Sequence, residues 1–140
     1  MANRPPRTTR AKRPAKPQPP AIEARGEKTL TLEGVSYRLR PSRAAIAAIE
    51  EATGYGLLKL VQVCSGGDLT LDEYGIVAAH LIRAGADEAD DATRHVGEKR
   101  IADLIFEAGV FATKAVLTLV LLNAVSGGRT VEGNEKAATA

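Results

Sequence analysis

The sequence predicts an α+β domain, mostly α: an N-terminal β-hairpin packed on a bundle of about four to five helices, preceded by a disordered arm. Three observations predict it. Two short alternating segments, Lys28-Thr29-Leu30-Thr31-Leu32 and Val35-Ser36-Tyr37-Arg38-Leu39-Arg40, flank a Glu33-Gly34 turn. Downstream of them, apolar residues recur at helical spacing between capping residues and glycines. The 140 residues are 44% hydrophobic, enough for one core in one domain, and the absence of Trp with only two Phe and three Tyr makes that core aliphatic.

The arm comes first. Residues 1–25 hold seven basic side chains against Glu23, a net +6, and six of the seven prolines, whereas the other 115 residues hold 12 basic and 16 acidic side chains, a net −4. Such a segment buries too little apolar surface to offset chain entropy, so it is read as disordered. Order is expected from Gly26. In the hairpin, Leu30 and Leu32 share one face, as do Val35, Tyr37 and Leu39. A lone hairpin is marginal in water, so this face must rest on helices.

Pro41 ends the second strand, Ser42 is placed to cap a helix over about Arg43 to Thr53, and Gly54 to stop it. Glu50 and Glu51 near its end oppose the helix dipole, which calls for a specific partner. The apolar segment Leu57–Cys64 ends at Gly66-Gly67. Thr70-Leu71-Asp72-Glu73 fits a capping box, opening a helix to about Ala84 with Gly85 as its stop and Leu71, Tyr74, Ala78 and Leu81 facing inward, widened by Val77 and Ile82. Asp87 to Asp91 reads as an acidic connector. A helix over about Glu98 to Ala108 turns Ile101, Leu104, Ile105 and Phe106 inward, and Gly109 breaks it. The last helix, Val110 to Val125, has only Thr113, Lys114, Thr118 and Asn123 as polar residues. At 16 residues it rises roughly 24 Å, too short for a bilayer core, so it is either central in the fold or shared with a partner. Residues 129–140 form a polar tail.

Candidate chemistry is sparse. Cys64 alone excludes a disulfide framework and a cysteine-rich metal site. Cys64 with His80 or His95 lacks an orienting third group, and free cysteine in an apolar run ordinarily behaves as a buried hydrophobe. Asp87-Glu88-Ala89-Asp90 spells a helicase tetrapeptide, but no phosphate loop accompanies it, and its spacing lacks the glycine of a calcium loop. Gly54-Tyr55-Gly56 follows a helix rather than a strand and reads as a stop and restart. In the arm, Arg4, Arg7, Arg10, Lys12, Arg13 and Lys16 are candidates for phosphate or acidic-partner contacts of a salt-dependent, non-specific kind. No aromatic residue is interleaved to stack on bases, and a solubilising tail or docking arm fits the same residues. In the last helix, Val110, Phe111, Val116, Leu117, Leu119, Val120, Leu121 and Leu122 are the candidate partner-binding residues.

The order of these segments resembles the small tail-assembly-chaperone family of gene transfer agents and long-tailed phages. The resemblance is carried by Gly26-Glu27 leading into Leu30-Thr31-Leu32-Glu33-Gly34, then Tyr37-Arg38-Leu39-Arg40-Pro41, Ala45-Ile46 and Ile49-Glu50. It continues through Thr53-Gly54-Tyr55-Gly56-Leu57, Leu81-Ile82-Arg83-Ala84-Gly85 and Glu107-Ala108-Gly109, and spans residues 26–128. The resemblance implies a non-enzymatic protein without cofactors, acting in the host cytoplasm. Its partners would be the tape-measure protein, coated until the tube polymerises around it, and the tail-tube proteins. A homo-oligomer is left open, and no membrane is involved. Some members of that family carry tail-tube or minor-tail labels, so a structural component of the particle is the alternative. A nucleic-acid-binding module using the arm is a third reading.

Overall fold

The computed structural model describes residues 19–127, which form a hairpin and six α-helices. The α+β, mainly helical architecture expected from the sequence is the one observed. The arginines and lysines singled out at positions 4–16 and the tail at 129–140 lie outside the described residues.

Strands β1 (Lys28–Leu32) and β2 (Val35–Leu39) pair antiparallel with Leu32 opposite Val35 and Lys28 opposite Leu39. Glu33 and Gly34 both have positive φ, 49° and 82°, as a two-residue hairpin turn of matching twist requires. Leu30, Leu32 and Leu39 are buried. The chain is placed earlier than Gly26: Glu23–Arg25 forms a 3₁₀ turn, contrary to an arm disordered through residue 25. The reason is Glu27, which is fully buried and draws this segment in. Its Oε1 accepts from the Ile22 N–H at 2.8 Å, and Arg25 Nε stands 3.3 Å from Oε2.

Helix α1 (Arg43–Thr53) starts at Ser42, whose hydroxyl accepts from the Ala45 N–H, and stops at left-handed Gly54. The awkward Glu50 has its partner: Oε2 accepts from the Leu57 N–H at 2.9 Å and so caps helix α2 (Leu57–Ser65), whose own N-cap, Gly56, has no side chain to do so. Helix α3 (Leu71–Gly85) opens with the full Thr70–Glu73 capping box. The acidic connector contains a one-turn helix, α4 (Asp91–Arg94), capped by Asp90 through Oδ1 to the Thr93 N–H, with the Thr93 hydroxyl donating to Oδ2. Helices α5 (Glu98–Ala108) and α6 (Val110–Val125) follow, separated by Gly109 at φ 100°.

The central helix is α3, against which α1, α5 and β2 pack. Its buried face includes Gly75, Ala78 and Ala79, small residues that let neighbours approach. A Cβ on Gly75 would stand 2.7 Å from both Ala102 Cβ and the Glu98 carbonyl oxygen of α5. Arg83 donates from Nε and Nη2 to the Val96 carbonyl, which pins the connector to α3.

Gly85 does not act as a left-handed stop. It is the last, buried residue of α3, and a Cβ there would run into the Arg38 carbonyl of β2. Across this close approach, Arg38 Nε donates to the Gly85 carbonyl at 2.8 Å and the Arg40 N–H to the Leu81 carbonyl at 3.1 Å. The hairpin thereby satisfies carbonyls at the helix end. Gly85→Ala is expected to cost about 1–3 kcal/mol by overpacking the hairpin against α3, read as a lower urea midpoint. Unchanged stability would show that the two backbones need not meet there.

Candidate functional site

Helix α6 has one buried face and one exposed face. Thr113, Leu117, Val120, Leu121 and Asn123 are buried, whereas Phe111, Ala112, Ala115, Leu119, Leu122 and Val125 are exposed. The exposed residues recur at spacings of three and four, so they form one stripe along the solvent side of the helix. Phe111 is 82% exposed and Leu119 47%. The one charged side chain of α6, Lys114, reaches the stripe at the Phe111 ring. This stripe is the candidate interaction surface, since contiguous apolar exposure is what such surfaces present.

Of the eight candidate partner-binding residues, three are exposed: Phe111, Leu119 and Leu122. Val110 and Val116 are half-buried against the core. Leu117, Val120 and Leu121 are core residues with no exposure, a correction to their assignment as partner contacts. Periodicity gave no phase to a helix that is apolar all round; the neighbours set it. Cys64 of α2 meets the Thr118 hydroxyl at 3.4 Å, and Lys114 Nζ donates to the Ser65 carbonyl at 3.2 Å. Asn123 Nδ2 donates to the Gly26 carbonyl at 3.1 Å, holding the far end of α6 to the start of β1.

Sequence reasoning also missed Phe106. It was expected inward from α5, but is 68% exposed, the buried face being supplied by Ile101, Ala102, Leu104 and Ile105. At the start of α6 lies a cavity of about 280 Å³ lined by Gly67, Leu69, Leu71, Tyr74, Val110 and Phe111, with Lys114 among the lining residues. The Lys114 ammonium lies 5.2 Å from the centre of the Phe111 ring, a cation–π contact.

The residues considered for catalysis are not brought together. Cys64 is buried, and burial pushes its thiol above the ordinary range, away from a reactive thiolate. His80 pairs with Glu98 at 3.2 Å, and His95 with Asp91 at 3.8 Å. The Asp87–Asp90 carboxylates serve the backbone: Asp87 Oδ1 accepts from the Ala89 N–H, and Asp90 caps α4. Among the described residues there is no cluster of three or more metal-ligating side chains, and no helix is long and apolar enough to cross a membrane.

A family model described as "Phage tail tube protein, GTA-gp10" matches residues 25–127. No curated protein and no solved structure matches the chain.

The division of α6 into two faces is testable by a pair of neighbours. Leu117→Ala is expected to cost about 2–5 kcal/mol, as for a buried leucine, while Leu119→Ala stays within about 0.5 kcal/mol of the parent. Chemical denaturation of both variants checks this; equal losses would contradict the division. A second expectation concerns acid. Burial, and then the Arg83 guanidinium, push His80 below the ordinary histidine value, with Glu98 opposing. The unfolded chain therefore takes up this proton first, and stability falls as pH drops below about 6.5. His80→Gln should flatten the decline in urea midpoint between pH 7 and pH 5.5. Parallel declines in both proteins would remove His80 as the cause.

Proposed function

The chain belongs to the phage tail tube protein, GTA-gp10 family, and from that premise we propose that it is a structural component of a phage or gene-transfer-agent tail, of the tail-tube or minor-tail kind. Its work on this reading is binding rather than catalysis, carried out as tails are built in the host cytoplasm. The family match over residues 25–127 carries the reading. The apolar stripe of α6 supports it, since a subunit that stays in an assembly can keep such a face covered by its neighbours.

One observation favours a second reading, the tail-assembly chaperone that binds the tape-measure protein. The exposed surface is the side of a single helix about 24 Å long with Phe111, Leu119 and Leu122 at turn spacing. That geometry suits the apolar seam of another helix, the helix-in-groove mode of recognition, and would serve a long helical client as well as a fixed neighbour.

The two readings part over where the protein ends up. Peptide mass spectrometry of purified particles is expected to find the chain at an abundance comparable with other tail proteins. Its absence from particles, together with co-purification with the tape-measure protein on co-expression, would replace the structural reading with the chaperone one. Absence from particles with no tape-measure complex would remove both.

A further inference from the structure

We infer that two copies of this chain pair through the corner between α5 and α6, the Phe106 ring of each entering the cavity beside Lys114 of the other. The inference goes beyond the tail reading and does not depend on it.

The receiving side is the cavity of about 280 Å³ bounded by Leu69, Leu71, Tyr74, Val110 and Phe111. An apolar cavity of roughly 150 Å³ already accepts a benzene ring, so a phenylalanine side chain has room. The one cation among its lining residues is Lys114. Its ammonium touches the Ser65 carbonyl and the Phe111 ring, and among the described residues no carboxylate lies within ion-pair distance of it. An ammonium has three donors, so it retains capacity for a carboxylate.

The entering side lies on the same chain. Phe106 stands four residues before Val110 and is 68% exposed. Asp103, one turn earlier, and Glu107, next in sequence, are both exposed, and neither forms an ion pair among the described residues. An aromatic ring flanked by carboxylates thus stands four residues along the chain from the lining of an apolar hollow that carries an ammonium. Charge complementarity selects the occupant. The outer face of α6 offers no acid, so pairing α6 against α6 leaves Lys114 unanswered, whereas the end of α5 supplies both ring and carboxylate. A patch that contains knob and hole within a few residues is self-complementary, which is the condition for a two-fold interface in which each copy gives what it receives.

Sedimentation velocity of the full chain across micromolar concentrations tests this. The parent is expected to shift from monomer to dimer as concentration rises. Phe106→Ser and Lys114→Glu should each raise the dimer dissociation constant at least about tenfold, equivalent to roughly 1.4 kcal/mol. Circular dichroism of these surface variants should match the parent. Combining Lys114→Glu with Asp103→Lys and Glu107→Lys should restore pairing to within about threefold of the parent, as a coupled charge pair requires. A monomer at every concentration, a dimer indifferent to Phe106→Ser, or no recovery in the charge-reversed variant would each overturn the proposal.

Discussion

Glu27 is a carboxylate with no exposure to solvent, set between Arg25, Arg38 and Arg40 at 3.3, 3.7 and 4.0 Å. A desolvated carboxylate costs several kcal/mol unless charge and hydrogen bonds compensate it. Here the compensation comes from both sides of the hairpin and from the Ile22 N–H ahead of it. The chain entering β1 and the end of β2 are therefore held to one point. Arg38 carries the constraint onward through its Nε–H to the Gly85 carbonyl, so the hairpin is fixed to the last turn of α3 as well. A two-stranded sheet that would be marginal alone becomes a wall of the domain. The glycine at 85 is the steric condition for this, because any side chain there would occupy the space of the Arg38 backbone.

From that junction the layout of the helices follows. With its end under the hairpin, α3 lies in the middle, and its glycine and alanines bring α5 close on another side. Helix α6, the most apolar segment, is not surrounded. It closes the domain against α2 and β1 with one face and leaves the other to solvent. Centrality here depends less on hydrophobicity than on small residues, since a helix touched on several sides must allow close approach along each of them.

What was legible in the sequence is what is local. Alternation and the Glu33-Gly34 turn set the hairpin register; Ser42 and Thr70 caps and the positions of Gly54 and Gly109 set the helix bounds to the residue. Even the misplaced Glu50 signalled a partner, which proved to be the next helix start. The rest depends on pairs far apart in the chain. Gly85 as a stop and Gly85 as a contact with Arg38 are the same letter, separated by a neighbour 47 residues away. Ala102 and Phe106 stand one turn apart on α5, yet Ala102 is buried against Gly75 and Phe106 faces solvent, which spacing alone does not tell. The Asp90 cap of α4 was hidden because an acidic run reads as solvated connector until one of its members is seen to be buried.

The candidate interface illustrates the same limit and its consequence for function. An amphipathic helix states its solvent face in sequence; α6 does not, because both of its faces are apolar. The helix proves to be core on one face and exposed on the other. A single helix can meet both demands only if one face is satisfied by folding and the other by association, and the core positions Leu117, Val120 and Leu121 alternate with the outward Phe111, Leu119 and Leu122 in just that way. The acidic excess of residues 26–140 fits this division of labour, since net charge keeps a chain with an open apolar stripe from associating indiscriminately. On the proposed reading, the same 16 residues that close the fold also offer the face for assembly, so that changes to their outward side chains would alter binding while the inward ones hold the domain.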